Sequence, residues 1–202
     1  VMDDEYLQEL VAIAKSCGDY ILADEVYRPF TTKKVSSIID LYDKGIAVNR
    51  LSKTFSLPGI RVGWVVACDE VTDILRDYRD YTMICAGVFD DMVASLALEH
   101  KEAILARNRH IIRENLAILD QWIASEPKAS YIRPAEVPTS FVKLDVNVPI
   151  ETFCLTLLQK YGVLLVPGNR FDREGYVRLG YSCQQETLKQ GLQLLSTCLK
   201  EF

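Results

Sequence analysis

Three short apolar runs constrain the fold of this chain more than any other feature of its sequence. They are Tyr20–Ala23, Ile46–Val48 and Val62–Ala67. A strand with one face in water alternates apolar and polar residues, whereas a strand buried on both faces is apolar throughout. An amphipathic helix precedes the first run, over Asp3–Cys17, and Gly18 suits its C-terminal cap. The pattern therefore predicts an α/β fold whose sheet is covered on both faces.

The pattern of elements changes near residue 126, after a long helix predicted over Ala103–Ser125 and closed by Pro127. Beyond this point short elements, the first of them an alternating strand, predict a compact α+β unit. The elements predicted there are a strand at Phe141–Val146, a helix at Ile150–Tyr161, strands at Val163–Val166 and Tyr176–Tyr181, and a helix at Gln185–Phe202. We therefore expect an α/β part over 1–88, interdomain helices over 89–125 and a small C-terminal domain over 126–202.

Composition excludes several classes of function. A net charge of −5 with dispersed Lys and Arg argues against nucleic-acid binding. No apolar run approaches the roughly 20 residues that span a bilayer, and no signal peptide is visible. Six cysteines without C-x-x-C spacing, and two histidines, predict neither a metal site nor a disulfide framework. Because most of the cysteines lie in apolar surroundings, as Cys68 does, we expect buried, reduced thiols in a cytoplasmic protein.

The stretch Asn49–Trp64 places two cations, Lys53 and Arg61, where the second and third apolar runs meet a turn. Ligands of α/β sheets bind at the carboxyl ends of the strands. A lysine in such a place, flanked by small hydroxyl residues, can be desolvated enough to act as a Schiff-base amine. Arg61 offers a fork of donors for a phosphate. Taken alone, such a stretch more often means an exposed loop lysine and a strand-edge arginine.

Two other charged residues stand beside apolar runs. Asp24 follows the first run, where a carboxylate is costly unless a cation such as a protonated pyridine nitrogen meets it. Its alternative role is an Asx-type turn. Arg178 is a lone charge within the apolar strand Tyr176–Tyr181. It fits either a structural salt bridge or bidentate recognition of a carboxylate.

Three segments in this order, Asp24–Tyr27, Leu51–Trp64 and Tyr176–Leu179, resemble the fold-type I pyridoxal-phosphate enzymes, specifically the class I/II aminotransferases. The resemblance implies part of a PLP-dependent transferase large domain followed by a small α+β C-terminal domain. It also implies a pyridoxal 5'-phosphate cofactor, amino acid and 2-oxo acid substrates, a ping-pong cycle and a homodimer.

The resemblance assigns a role to each matching residue of the cofactor site. Lys53 matches the lysine that joins the cofactor through a Schiff base and moves the substrate proton. Asp24 matches the carboxylate that keeps the pyridine nitrogen protonated, and Tyr27 matches the tyrosine that hydrogen-bonds the phenolic oxygen. Arg61 matches the arginine that binds the phosphate, and Ser52 stands at a small-hydroxyl position that often assists it.

The resemblance also assigns a substrate-binding residue, but the chain differs from the family at one phosphate-binding position. Arg178 matches the arginine that clamps the α-carboxylate of the amino acid. Where the family often has a phosphate-binding serine, this chain has Arg50, which we leave out of the predicted site. The resemblance covers only the C-terminal part of such enzymes, without the turn that cradles the phosphate and the aromatic that stacks on the ring. We therefore expect this chain alone to be at best weakly active.

The sequence is also compatible with three other kinds of function. The same cofactor residues serve lyases, decarboxylases and arginine-modifying oxidases of this fold. An aminotransferase-like domain also occurs in transcriptional regulators, where it senses the cofactor. A fragment with a purely structural role is the third alternative.

Overall fold

The computed structural model describes residues 2–135 and 137–202. It divides into two compact units, one ending at Asn108 and the other spanning Arg109–Phe202. The division lies within the segment 89–125 for which an interdomain role is predicted, while the three-part domain assignment itself stays a prediction. Within the described residues, no helix is both long enough and apolar enough to cross a membrane.

The first unit is built on a three-stranded sheet. Its elements, in chain order, are α1 (Asp4–Cys17), β1 (Ile21–Asp24), a 3-10 helix (Arg28–Phe30), α2 (Ile38–Leu41), β2 (Gly45–Arg50), β3 (Gly63–Val66), α3 (Asp69–Arg79), α4 (Val88–Glu99) and the start of α5 (Lys101–Ser125). Strands β1 and β2 are parallel, and β3 runs antiparallel to β2. The predicted strands and long helices are confirmed to within a few residues, whereas α2, with four residues, is too short to give a periodic signal.

Local signals at both ends define helix α1. The side chain of Asp3 accepts a hydrogen bond from the Tyr6 amide at 3.0 Å, which satisfies one of the free N–H groups of the first turn. Gly18 ends the helix in the left-handed conformation, at φ 75°. Because Val11 and Ala14 are buried against the sheet, α1 fixes the position of the strand that follows it.

Helices α1 and α2 cover one face of the sheet. The apolar cluster beneath them includes Val11, Ile38 and, more loosely packed, Ala23 of β1. The next side chain along β1, Leu22, is 69% exposed, and Val65 of β3 is exposed as well. The prediction that both faces of the sheet are covered is therefore wrong for the face that bears Leu22. Helices α1 and α2 pack on the opposite face, which bears Ala23.

The second unit is an antiparallel sheet with strand order β4-β5-β7-β6. Its elements, in chain order after α5, are β4 (Ala129–Tyr131), β5 (Thr139–Leu144), α6 (Ile150–Tyr161), β6 (Val166–Pro167), a 3-10 helix (Gly168–Phe171), β7 (Tyr176–Gly180) and α7 (Gln185–Leu199). The strand predicted over Val163–Val166 is wrong in its bounds. Gly162 is left-handed at φ 70° and the Val163 amide donates to the Leu157 carbonyl, so this segment closes α6 and β6 starts later.

Alternation along β5 and β7 separates a buried face from an open one. Val142 of β5 and Val177 and Leu179 of β7 are buried, whereas Arg178, between the last two, is exposed. Asn115 of α5 ties the end of β7 to the helix, because its side-chain nitrogen donates to the Tyr181 carbonyl at 2.7 Å. The alternation predicted for Phe141–Val146 is found in β5, but the strand begins and ends two residues earlier, and its open face is half-buried except at the exposed Lys143.

The prediction of mostly buried cysteines is wrong. All six cysteines are free thiols, but only Cys154 and Cys198 are buried. Cys68, expected inside an apolar run, is the N-terminal cap of α3, and a helix start at the end of a strand reaches solvent.

Candidate functional site

The predicted cofactor residues of the first unit gather at one edge of the sheet. Strand β1 ends at Asp24 and the parallel strand β2 ends at Arg50, so both carboxyl ends lie at this edge. Because β3 is antiparallel and its first residue, Gly63, pairs with Arg50, β3 starts at the same edge. The turn between β2 and β3 therefore carries Ser52, Lys53 and Arg61 to the edge where ligands of such sheets bind.

Buried side chains and one hydrogen bond fix the turn that carries Lys53. Leu51, Thr54 and Phe55 are buried, and the side-chain amide of Asn108 donates to the Thr54 carbonyl at 2.8 Å. Lys53 itself is exposed, so the desolvation predicted for its amine is not found. No hydrogen bond or ion pair of that amine occurs within the part of the chain that the structure describes, which leaves it free to react.

Asp24 has a cationic partner that the sequence interpretation missed. One carboxylate oxygen, Oδ1, accepts from the Val26 amide at 3.1 Å, so the Asx-type turn considered as the alternative role of Asp24 is present. The other, Oδ2, accepts from Nη2 of Arg50 at 3.1 Å. The signal that could have found Arg50 is its departure from the serine often present in the family.

Glu25 anchors the loop after β1 and was also absent from the prediction. Its buried carboxylate accepts from the Ser37 hydroxyl at 2.7 Å and from the Ile38 amide at 2.8 Å, and it pairs with Arg28 at 2.9 Å. These contacts hold the loop back onto the strand end that bears Asp24. Tyr27 lies in this anchored segment, half-buried, with its ring centre 6.4 Å from that of Phe30.

A cavity of about 680 Å³ opens beside the turn. Four arginines line it, Arg50, Arg61, Arg76 and Arg79, together with Ser52, while no aspartate or glutamate does so among the described residues. Arg61 adopts the left-handed backbone region at φ 52°, a strained conformation that often accompanies function. Its guanidinium donates to the Pro58 carbonyl at 2.7 Å. Arg50 pairs with Asp24 and Arg76 with Asp73, so the cavity is suited to an anion chiefly through Arg61 and Arg79.

Arg178 lies in the second unit, on the open face of β7. Its neighbours across the sheet are Phe141 of β5 and Val166 of β6. Its guanidinium carbon is 5.5 Å from the ring centre of Phe171, a cation–π contact. No acid pairs with Arg178 in the ranges 2–135 and 137–202, so the structural salt bridge considered for it is not found there.

The 3-10 helix that carries Phe171 is fixed by Glu151 of α6. This carboxylate accepts hydrogen bonds from Asn169 at 3.0 Å and from Arg170. These bonds, the one from Asn169 first, lower the pKa of Glu151 below its usual value. These hydrogen bonds to α6 thus fix the 3-10 helix that presents Phe171 to Arg178.

The approach of β3 to β2 beside the site requires Gly63. A Cβ atom at this position would lie 2.7 Å from the Asn49 carbonyl oxygen. We expect Gly63→Ala to lower the free energy of unfolding by about 1–3 kcal/mol, measured by urea denaturation. Gly59→Ala is the matched control, because a Cβ there meets nothing within 4 Å. Equal stability of the two variants would contradict the close approach.

The sequence matches one family model and several known relatives. The family model described as aminotransferase class I and II matches residues 1–195. The chain is 32% identical to capreomycidine synthase of Streptomyces vinaceus over 155 residues, which make up 76% of this chain and 40% of the relative. It is 28% identical to a probable N-acetyl-LL-diaminopimelate aminotransferase of Bacillus subtilis over 205 residues, 96% of this chain and 50% of the relative.

Solved structures give the same result. The crystal structure of a PLP-dependent aminotransferase from Streptococcus suis matches with a TM-score of 0.97 and 70% sequence identity, and the match covers 100% of this chain and 54% of that one. The chain thus spans about half the length of the proteins it matches. The predicted mixed α/β fold is confirmed. Since the family model covers nearly the whole sequence, the chain belongs to the class I and II aminotransferases.

Proposed function

We propose that this chain supplies the lysine-bearing part of a pyridoxal 5'-phosphate-dependent aminotransferase, which moves an amino group between an amino acid and a 2-oxo acid. The observation that carries the proposal is the placement of three residues at one edge of the sheet. Asp24 ends β1, Lys53 follows the end of β2, and Arg61 precedes the start of β3. The family membership and the PLP-dependent relative from Streptococcus suis support it.

The donor set at this edge fits the chemistry of the cofactor. Pyridoxal 5'-phosphate carries an aldehyde, a basic ring nitrogen, a phenolic oxygen and a phosphate. The edge offers a free amine from Lys53, a carboxylate from Asp24 and a phenol from Tyr27. The adjoining cavity offers the guanidinium of Arg61 and the hydroxyl of Ser52. When bound, the cofactor supplies an electron sink for bond cleavage at the substrate's α carbon.

Each residue of the first unit then has a distinct task. Lys53 would hold the aldehyde end of the cofactor, and its Nζ atom would move a proton. Asp24 orients the ring nitrogen through its carboxylate and stabilises the positive charge there. Arg61 and Ser52 bind the phosphate with charge-assisted hydrogen bonds. The hydroxyl group of Tyr27 would donate a hydrogen bond to the phenolic oxygen.

Arg178 is proposed as the group that binds the α-carboxylate of the amino acid. It is exposed and without an acidic partner among the described residues, and its guanidinium rests on the Phe171 ring. A guanidinium held in this way presents its N–H groups in a fixed fork that matches a carboxylate.

We also propose a homodimer in the cytoplasm. Support for the dimer comes from exposed apolar side chains around the start of α4, namely Tyr81, Met83, Val88 and Phe89. An apolar patch of this kind on a protein surface commonly marks an interaction site. The cytoplasmic location rests on the sequence alone.

A single-turnover experiment tests the function. The complete enzyme of which this chain is proposed to be a part is loaded with pyridoxal 5'-phosphate and mixed with each of a panel of amino acids. We expect pyridoxamine 5'-phosphate and a 2-oxo acid in equal amounts, both measured by liquid chromatography. Tight cofactor binding with no oxo acid from any amino acid would contradict the proposal, and if the amino acids are also recovered unchanged it would favour a cofactor-sensing domain.

The likeness to capreomycidine synthase favours a second candidate, a synthase of another pyridoxal-phosphate chemistry. Such an enzyme releases a changed amino acid and leaves the cofactor in its aldehyde form. The same experiment separates the two, because only amino-group transfer gives pyridoxamine 5'-phosphate together with an oxo acid.

A further inference from the structure

The geometry points to Arg50 as a second phosphate-binding arginine, which leaves Asp24 when a ligand that carries both a cationic ring nitrogen and a phosphate binds. The inference rests on the proposed function only in that pyridoxal 5'-phosphate is such a ligand. One ion pair, Arg50 with Asp24, is exchanged for two, in which the ring nitrogen meets Asp24 and the phosphate meets Arg50.

The pair is suited to exchange because water reaches both partners. The side chains of Arg50 and Asp24 are 44% and 56% exposed, and one bond of 3.1 Å joins them. Exposed ion pairs contribute little stability. The other N–H groups of Arg50 have no partner in the described part of the chain, so most of its fork is free to bind an anion.

A cationic ring nitrogen has to compete with Arg50. Oδ1 of Asp24 is engaged by the Val26 amide in the turn after β1, and Oδ2 is the atom that Arg50 occupies. A ring nitrogen that donates to Oδ2 takes the place of the guanidinium. Release of Arg50 is therefore coupled to recognition of the ring.

The released guanidinium has an anion site beside it. Arg50 lines the same cavity as Arg61 and Ser52. Arg50 also lies directly opposite Gly63, and the absence of a side chain there keeps β3 close to β2. Two arginines in one cavity bind a phosphate more strongly than one, since each contributes charge-assisted hydrogen bonds.

Inorganic phosphate is the probe that tests the exchange, with affinity measured by titration calorimetry on the 202-residue chain. We expect Arg50→Ser to weaken phosphate binding about tenfold, and Arg50→Lys to weaken it less. Asp24→Asn should strengthen phosphate binding about two- to fivefold, because Arg50 no longer has to leave a partner. In the Arg50→Ser background, Asp24→Asn should have no effect.

Arg113→Ser is the matched control, since Arg113 is an exposed arginine of α5 that does not line the cavity. It should leave phosphate affinity unchanged. Circular dichroism and thermal melting verify that each variant is folded. Unchanged phosphate binding in Arg50→Ser, unchanged or weaker binding in Asp24→Asn, or no measurable binding by the unmodified chain would overturn the inference.

The outcome is distinguishable from the fate of the proposed function, because phosphate binding does not use the Lys53 amine. If Lys53 takes no cofactor but the phosphate pattern holds, only the proposed function fails. If Lys53 takes the cofactor while the variants bind phosphate like the unmodified chain, only the role of Arg50 fails.

Discussion

Replacing Lys53 with alanine is expected to lower the rate of amino-group transfer by about 10⁴-fold or more, because the variant loses both a nucleophile and a proton carrier. No other lysine stands on the turn between β2 and β3. The turn itself should keep its shape, since the buried side chains of Leu51, Thr54 and Phe55 hold it. The rate is measured as oxo acid formed by the complete proposed enzyme, of which this chain is a part, after loading with pyridoxal 5'-phosphate.

The Lys44→Ala variant is the control for this change. Lys44 precedes β2 and therefore lies at the opposite edge of the sheet, where its amine donates to the Gly18 carbonyl at 2.7 Å. Its loss should leave the rate within a factor of about two, as expected for a surface position. Borohydride reduction followed by peptide mass spectrometry should find the cofactor on the Lys53 peptide. Labelling spread evenly over the lysines, or normal turnover by Lys53→Ala, would rule out the assigned role.

Much of the fold follows from local sequence signals. The apolar runs of β1, β2 and β3 and the periodic pattern of the long helices predict the elements in their correct order. The prediction errors arise where a contact between residues distant in sequence determines the local structure. Helix α2, for example, starts where Ser37 and Ile38 donate to the buried carboxylate of Glu25, and no pattern within four residues reveals that bond.

Local sequence signals also do not determine which faces of the sheet are buried. A continuous apolar run shows that a strand suits burial on both faces, but it does not say which element supplies the cover. Leu22 belongs to such a run and remains 69% exposed. The chain spans about half the length of its relatives, and its own helices α1 and α2 cover the other face.

The candidate site was predictable where it depends on strand ends. Asp24, Lys53 and Arg61 follow or precede apolar runs, so a parallel pair and an antiparallel third strand bring them to one edge. The ion pair of Asp24 with Arg50 was not predictable, because it joins residues 26 positions apart and depends on which atoms the register places side by side. Sequence reasoning predicted which candidate residues meet at this edge but not the ion pair between Asp24 and Arg50.

The Arg178→Leu substitution is expected to lower kcat/KM for the amino acid by about 100-fold or more, mostly through KM. Two charge-assisted hydrogen bonds to a carboxylate, each contributing about 1.5–3 kcal/mol, account for a loss of this size. Phe171→Leu should cost about two- to fivefold, since a cation–π contact at an exposed site contributes about 0.5–1 kcal/mol. The measurement is steady-state kinetics of the complete proposed enzyme, with an amino acid and with the corresponding amine that lacks the α-carboxylate.

The carboxylate-free amine separates recognition from folding. Arg178→Leu should leave the low activity with that amine unchanged, because the substrate offers nothing for the guanidinium to bind. Arg173→Leu removes an exposed arginine from the loop before β7, and it should alter neither activity by more than about twofold. If Arg178→Leu lowers both activities equally, the residue serves the structure of β7 and not the substrate. A selective loss with the amino acid, together with a small loss in Phe171→Leu, is the pattern expected of a carboxylate clamp oriented by an aromatic ring.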